Sequence, residues 1–208
     1  MSTNISVRLA GVTKRYPGDC GIEDVSLAFD DRGLNLLVGP NGSGKSTILR
    51  CIVGLVRYRG TIEATPRSIG YAPEDYILPQ FMTVRDFLVS VGRARDVERA
   101  VLADRIDALL DYFEMREAEH KPFFGLSTGM RQKTNLIQAL LNHPKILLFD
   151  EPLRGLDEQA RDQACAIIRE RSKESLVIVS THYPERFRSR NRRIVRIENG
   201  RIVDARDA

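Results

Sequence analysis

The sequence predicts an α/β fold in which a sheet core is interrupted by a helical segment. Short, wholly apolar runs have the length and composition of strands buried on both faces, as in parallel sheets, at residues 34–38 (LNLLV), 146–149 (ILLF) and 176–180 (LVIVS). Between about residue 83 and residue 142, apolar residues instead recur at the three- and four-residue steps of amphipathic helices. We therefore expect one α/β core that is split by helices and resumes after them.

Strands are also expected at both ends of the chain. Ile5, Val7 and Leu9 alternate with polar residues, which predicts a strand with one solvent-facing side. Further short strands are expected at residues 25–29, 60–64, 194–197 and 201–203. Asn199 and Gly200 separate the last two of these, and Asn-Gly is a strong signal for a hairpin turn.

The helical part contains at least two predicted helices. One apolar stripe is formed by Val97, Val101, Leu102, Ile106, Leu109, Leu110 and Phe113. A second helix is expected from Met130 to about Leu141, since Pro144 cannot continue it.

Composition narrows the class of protein. The 208 residues are 42% hydrophobic and 29% charged, which is ordinary for a soluble globular domain, and no apolar run approaches the length of a membrane span. The N-terminus lacks the layout of a secretion signal. Cys20, Cys51 and Cys165 are odd in number and far apart, so free thiols in a reducing cytosol are expected rather than disulfides or a metal site.

The net charge of +4 is concentrated in residues 186–196 (RFRSRNRRIVR). Such a segment can contact nucleic acid, anionic lipid or an acidic partner, or it can form a solvated face. We favour the solvated face, because the segment has no platform of interleaved aromatic side chains on which bases could stack, and we expect no nucleic-acid partner.

A glycine-rich loop carries the first chemical signal. It follows the strand at residues 34–38 and opens a helix, which is the setting of a phosphate-binding loop. Its glycines let backbone N–H groups curl around phosphate oxygens, and the helix N-terminus adds positive charge. Lys45 is expected to reach the β- and γ-phosphates of ATP, and Ser46 to bind Mg²⁺. The predicted loop consists of Gly39, Pro40, Asn41, Gly42, Ser43, Gly44, Lys45, Ser46 and Thr47.

Polar side chains at the ends of two other buried strands complete the predicted site. Asp150 and Glu151 follow the run ILLF, and such charges must lie at the exposed carboxyl end of the strand. Asp150 is suited to holding Mg²⁺ through water, and Glu151 to activating the attacking water. His182 follows the run LVIVS and is expected at the same sheet edge, where it can donate to the γ-phosphate.

With these motifs in place, the chain resembles the ATP-binding-cassette (ABC) family over nearly its whole length. Residues 126–130 (LSTGM) resemble the family signature, usually LSGGQ, and residues 155–157 resemble its D-loop. Tyr16 resembles the aromatic residue that stacks on adenine, and His182 the switch histidine. Residues 71–74 (YAPE) occupy the place of the Q-loop, so that Glu74 stands where glutamine is usual.

The resemblance implies a P-loop NTPase core with a parallel sheet, an N-terminal antiparallel β portion and an inserted α-helical subdomain. It implies one nucleotide-binding domain over residues 1–208, with the core at 1–76 and 143–208 and the helical subdomain at about 77–142.

The same resemblance implies partners for this domain. Ser127, Thr128 and Gly129 would contact ATP held by a second cassette, identical or different, and Asp157 would adjoin that site. The implied activity is ATP hydrolysis that drives an integral membrane subunit, with the chain peripheral at the cytoplasmic face of the membrane.

Some residues depart from the family pattern, and these departures bear on the branch of the family that the chain resembles and on its rate of ATP hydrolysis. Glu74 can still reach Mg²⁺ or water, whereas Met130 cannot make the polar contacts of the usual glutamine. Glu74 together with the form Ser-x-Gly-Met resembles the exporting branch. The segment from Glu74 to Phe87, including Phe81 and Val84, is either a surface for the membrane subunit or subdomain core.

Two other functions compete with transport. A nucleic-acid ATPase of the same superfamily is one, although this chain has one cassette and no heptad array. A regulator that hydrolyses little is the other, motivated by Thr128, Met130 and Glu74. Retention of Lys45 and Glu151 favours a working enzyme.

Overall fold

The computed structural model describes residues 5–18, 20–189 and 192–207 and confirms the predicted α/β fold class. Its strands are β1 (Ser6–Tyr16), β2 (Cys20–Asp30), β3 (Gly33–Val38), β4 (Arg59–Thr65), β5 (Ile69–Ala72), β6 (Ile146–Asp150), β7 (Leu176–Ser180), β8 (Arg192–Glu198) and β9 (Arg201–Asp207). Its α-helices are α1 (Lys45–Val53), α2 (Val84–Ala94), α3 (Arg99–Tyr112), α4 (Thr128–Leu140) and α5 (Glu158–Arg171).

Six strands form the central sheet in the order β5-β6-β7-β3-β8-β9. The first five run parallel, and β9 returns antiparallel to β8 through the turn at Asn199 and Gly200. Both turn residues have positive φ angles of 47° and 76°, which the Asn-Gly pair tolerates. Every residue of β6 and β7 is buried, as their continuous apolar sequences predict. The predicted parallel core and terminal hairpin are therefore present.

A smaller antiparallel sheet of order β2-β1-β4 covers one side of the core. Ile5, Val7 and Leu9 are buried and face inward, in keeping with their alternation with polar residues. They pack with Leu37 of β3 and Ile48 of α1 in one apolar cluster. The opposite face of the central sheet packs on α2 to α5 in a second cluster. The site-bearing strands thus lie between two layers that hold them rigidly.

The helical part follows the predicted stripe with two corrections. Leu102, Ile106 and Leu110 of α3 are buried, but Val101 is 37% exposed and lies at the edge of the stripe. Helix α4 begins at Thr128, two residues before the predicted start, because the Ser127 hydroxyl caps it. Within the part of the chain that the structure describes, no helix is both long and apolar enough to span a bilayer.

Two elements were not predicted from the sequence. Strand β5 is only four residues long and contains Gly70, where a Cβ would lie 2.1 Å from the Ala139 carbonyl oxygen. Helix α5 buries mainly small residues such as Ala160 and Ala164 among charged ones, so its apolar periodicity is weak. In both, close packing of small residues replaces the large apolar side chains on which sequence patterns depend.

Candidate functional site

The polar strand ends meet at one edge of the central sheet. Strands β6, β7 and β3 are neighbours and parallel, so their carboxyl ends lie side by side. Asp150 pairs in register with Ser180, and the Thr181 N–H donates to the Leu37 carbonyl at 3.1 Å. This edge is where open α/β sheets bind ligands.

The glycine-rich loop joins β3 to α1 as predicted. Gly44 precedes the helix with φ of 107°, a backbone conformation that favours glycine. A Cβ at Gly39 would lie 2.1 Å from the carbonyl oxygen of Ile197 in β8. The Gly200 N–H donates to the Ser43 carbonyl at 3.0 Å. The terminal hairpin therefore supports the loop from behind, which the loop sequence did not reveal.

Lys45 crosses the loop and is 6% exposed. Its Nζ donates to the Gly39 carbonyl at 2.8 Å and to the Pro40 carbonyl at 3.1 Å. Burial lowers the pKa of Lys45, while Glu151, Asp150 and Glu74 act in the opposite direction. The ammonium group is thus poised among backbone acceptors and carboxylates, where an anionic phosphate can bind it.

Asp150 is fully buried and held by two hydroxyl groups. Ser46 Oγ donates to Asp150 Oδ1 at 3.0 Å, and Ser180 Oγ donates to the same oxygen. Burial raises the pKa of Asp150, against the lowering effect of these hydrogen bonds. Ser180 had no predicted role of its own. Its position at the end of a buried strand, opposite Asp150, is the signal that identifies it.

Glu151 is the next residue along the chain, and its backbone conformation is unusual for a residue other than glycine. Its φ is 46°, and its N–H donates to both the carbonyl and the hydroxyl of Ser180. Burial raises the pKa of Glu151 to about 7, although Lys45 and His182 lower it. A carboxyl group with these properties is suited to proton transfer near neutral pH.

His182 adjoins Glu151 as the sequence predicted. Its Nε2 lies 3.1 Å from Glu151 Oε1. Burial lowers the pKa of His182, and Lys45 adds to this effect. The contact therefore involves a neutral imidazole near pH 7, whose N–H can be offered to a phosphate oxygen.

A cavity of about 160 Å³ brings many of the predicted residues together. It is lined by Tyr16, Cys20, Gly21, Asn41, Gly42, Ser43, Gly44, Lys45, Ser46, Thr47, Glu74, Glu151 and His182. Lys14 Nζ lies 4.8 Å from the centre of the Tyr16 ring. The lining of the cavity thus combines an aromatic ring with acidic and basic groups.

The residues around Asp150 fit a magnesium ion. Asp150 Oδ2 is buried and has no hydrogen-bond partner among the described residues. Ser46 Oγ lies 3.0 Å from the other carboxylate oxygen, Oδ1, and can turn its lone pairs to a cation. Carboxylate and hydroxyl oxygens, with phosphate oxygens, are the ligands that Mg²⁺ prefers.

Glu74 lies at the boundary of the cavity and is 27% exposed. Its charge raises the pKa of Asp150 and of Glu151. It is paired with Arg154, whose Nη1 lies 2.5 Å from Glu74 Oε1. Arg154 follows β6 and was not singled out by its sequence pattern, because its partner is 80 residues away along the chain.

The signature segment lies outside this cavity. Ser127 Oγ accepts the Met130 N–H at 3.2 Å and so caps α4. Asp157 caps α5 by accepting the Ala160 N–H at 2.8 Å. A Cβ at Gly129 would lie 3.3 Å from the carbonyl oxygen of Gly155. The signature therefore packs against the D-loop segment of the same chain, and none of its described residues lines the cavity of the glycine-rich loop.

Beside the signature is a groove of about 610 Å³. Its lining residues are Glu74, Asp75, Tyr76, Ile77, Leu78, Gln80, Thr128, Arg131, Gln132 and Arg154. Ile77 and Phe81 are 100% and 89% exposed, and the Phe81 ring lies 6.1 Å from that of Phe124. Val84 is buried and Phe87 packs on Phe123, so these two belong to the core and not to a surface.

Most described arginines of the basic segment have local partners. Arg186 forms ion pairs with Glu158 and Asp162. Arg192 and Arg193 donate to backbone carbonyls, including that of Ala28. These three side chains are half-buried and make their contacts within the chain. Arg190 lies outside the described residues.

The chain is similar to known ATP-binding proteins. Residues 22–154 match the family described as "ABC transporter". Nod factor export ATP-binding protein I of Sinorhizobium fredii is 32% identical over 98% of this chain and 64% of its own length. The sulfate/thiosulfate import ATP-binding protein CysA of Mesorhizobium japonicum is 34% identical over 95% of this chain. The chain spans only 62% of the length of this second relative.

A solved structure extends the similarity to three dimensions. The ATP-binding subunit of an ABC transporter has a TM-score of 0.86 and 27% identity with this chain. The match covers 97% of this chain and 89% of the solved one. Sequence and fold thus point to the same family.

Proposed function

The chain belongs to the ABC transporter family of ATP-binding proteins, and we propose that it uses the strand-end site to power a separate membrane subunit. The chain is an ATPase domain by family. The observation that supports the detailed proposal is that the Ser46–Asp150 hydrogen bond, the Lys45 ammonium group and the Glu151 carboxyl group come together at one sheet edge. We further propose that residues 1–76 and 143–208 form its ATP-binding core and residues 77–142 its helical subdomain.

ATP binding is assigned to the glycine-rich loop and its surroundings. The adenine stacks on Tyr16, and the phosphates lie along residues 39–47 with Lys45 reaching the β- and γ-phosphates. Ser46 and, through water, Asp150 would hold Mg²⁺, and Glu74, which lines the same cavity, is proposed as a further ligand. When bound, Mg²⁺ neutralises charge on the phosphate oxygens.

Hydrolysis is assigned to Glu151 and His182. Glu151 accepts a hydrogen bond from the attacking water and takes its proton as the water oxygen bonds to the γ-phosphorus. The bond between the γ-phosphorus and the β–γ bridging oxygen breaks, leaving ADP and phosphate. His182 donates to a γ-phosphate oxygen and Lys45 stabilises the charge of the leaving group.

A second cassette, identical or different, completes the site. Ser127, Thr128 and Gly129 open helix α4, whose N-terminus attracts an anion. In the proposed dimer these residues contact the γ-phosphate of ATP held by the other cassette, with Asp157 close by. ATP then holds the two cassettes together, and its hydrolysis releases them.

The groove beside the signature is the proposed surface for the membrane subunit. Ile77 lines the groove, and Phe81 and Phe124 lie beside its lining residue Gln80, whose carbonyl accepts the Phe124 N–H. All three are exposed, large apolar side chains that are available for burial. The chain would thereby act at the cytoplasmic face of the membrane.

We propose export as the direction of transport. Glu74 and the form Ser-Thr-Gly-Met support this assignment, as does the similarity to a Nod factor exporter. The similar importer is the competing possibility. ATP-driven accumulation of substrate inside inverted membrane vesicles, which expose the cassette, would support export, and uptake only into right-side-out vesicles would contradict it.

The first test is the mass of purified Glu151→Gln protein in solution with and without ATP. Loss of the carboxylate should lower hydrolysis at least about 100-fold while ATP binding persists, because the base is missing and the phosphate contacts are intact. The trapped nucleotide should convert monomer to dimer. Glu170→Gln, an exposed change of the same kind, should hydrolyse normally and form no stable dimer.

The outcomes separate the parts of the proposal. Normal turnover of Glu151→Gln would remove Glu151 from its role. ATP binding without a change of mass would contradict a dimer of identical chains and point to a different cassette as partner.

A further inference from the structure

The ion pair between Glu74 and Arg154 connects two neighbouring strand ends. Glu74 follows β5 and Arg154 follows β6, and these strands are paired in parallel. Arg154 Nη1 lies 2.5 Å from Glu74 Oε1 and 3.9 Å from Asp75 Oδ1. The side chains of Arg154 and Asp75 are 65% and 77% exposed, and that of Glu74 is less so.

Glu74 adds negative charge where an anion must bind. It lines the nucleotide cavity together with Glu151, and Asp150 lies buried beneath them. Among the described residues that line the cavity, Lys45 is the one lysine or arginine, and it interacts electrostatically with Glu151, Asp150 and Glu74. A polyanion such as ATP is repelled by uncompensated carboxylates at short range.

Arg154 lies on the other side of Glu74. It lines the groove and is absent from the described residues that line the nucleotide cavity. Any effect of Arg154 on a bound nucleotide should therefore be exerted through Glu74, which lines both the groove and the nucleotide cavity. An exposed ion pair of this kind contributes little to folding stability, so its effect should be sought at the site.

We propose that Arg154 is a positioning residue that holds the Glu74 carboxylate toward the groove and neutralises its charge, so that ATP can bind beside the remaining carboxylates. The proposal rests on the nucleotide site described under the proposed function. It explains how a carboxylate is tolerated at position 74: the adjacent cation of Arg154, the residue before the D-loop segment, compensates its charge.

The test is the affinity for ATP in the presence of EDTA, measured by calorimetry on wild-type and Arg154→Gln protein. Without metal, the nucleotide carries its full charge and no hydrolysis intervenes. Arg154→Gln should bind ATP about three- to tenfold more weakly at low salt, and this difference should shrink as salt screens the charges. Arg154→Met, which keeps the aliphatic stem, should behave in the same way.

Two controls separate charge from structure. Arg8→Gln removes the same charge from an exposed pair with Asp30 and should leave the affinity unchanged. Arg154→Lys keeps the charge and should stay within about twofold of wild type. In a Glu74→Gln background, Arg154→Gln should have no further effect, because the charge that it compensates is gone.

Each contrary result has a distinct meaning. If wild-type protein binds ATP neither in EDTA nor with Mg²⁺, the proposed function fails. If it binds ATP only with Mg²⁺, the inference about Arg154 is wrong, because the cation of Arg154 then does not suffice to let ATP bind beside the carboxylates. If it binds and both neutral variants match it at low salt, the inference about Arg154 is wrong. Equal weakening in the wild-type and Glu74→Gln backgrounds, or weakening independent of salt, would also overturn it, since Arg154 would then not act through the charge of Glu74.

Discussion

The glycine-rich half of the site and the signature half differ in the contacts that their polar side chains make within one chain. At the sheet edge, Ser46 and Ser180 both donate to Asp150, and Lys45 is held by backbone carbonyls. In the signature half, the Ser127 hydroxyl caps its own helix and Thr128 lines the groove. The contacts of the first half lie within one chain, whereas the second half is proposed to contact a ligand held by a second cassette.

This difference has a physical basis. Strand ends in one parallel sheet are brought together by the hydrogen bonds of that sheet, so their side chains meet within one chain. A helix N-terminus has unsatisfied N–H groups but no partner charge of its own. The two halves should therefore respond differently to substitution.

The largest effect should come from breaking only the signature half. Ser127→Arg places a bulky cation at the proposed contact between cassettes and should lower hydrolysis about 100-fold. ATP binding by the single chain, measured by calorimetry, should remain close to wild type because the glycine-rich loop is untouched. Persistence of ATP-dependent dimers in a Glu151→Gln, Ser127→Arg double variant would contradict the proposed role of the signature.

A smaller effect should follow from loosening the glycine-rich half. Ser180→Ala removes hydrogen bonds to Asp150 and to the Glu151 N–H and should lower kcat about tenfold. Ser175→Ala is the matched control, since this buried hydroxyl donates to the Pro144 carbonyl away from the site. Both should lose about 1–3 kcal/mol of folding stability by thermal unfolding. Equal kcat values for the two variants would show that Ser180 has no part in catalysis.

The smallest effect on the isolated chain should come from the groove. Phe81→Ser removes an 89% exposed ring and should leave basal ATP hydrolysis unchanged. Association with the membrane subunit, measured by copurification from membranes, should weaken about tenfold because the ring no longer becomes buried. Leu55→Ser, at a 63% exposed leucine elsewhere, should not weaken it. If both variants behave alike, the groove is not the docking surface.

Sequence patterns predicted the strands of the site more reliably than its contacts. The apolar runs before Asp150 and His182 specified where those strands end, and the glycine spacing specified the loop. Weak periodicity left β5 and α5 unpredicted, because both pack through small residues such as Gly70 and Ala164. Val101 was misjudged for a related reason, since periodicity identifies an apolar face but not its edges.

The sequence by itself determined the fold class, the glycine-rich loop and the strand ends that carry Asp150, Glu151 and His182. These features depend on neighbouring residues and therefore leave a local pattern. Only the tertiary structure decided that Ser180 holds Asp150, that the terminal hairpin supports Gly39 and that Arg154 pairs with Glu74. Such contacts join segments that are distant along the chain, and the order of strands in the sheet, which no local pattern encodes, determines which of them meet.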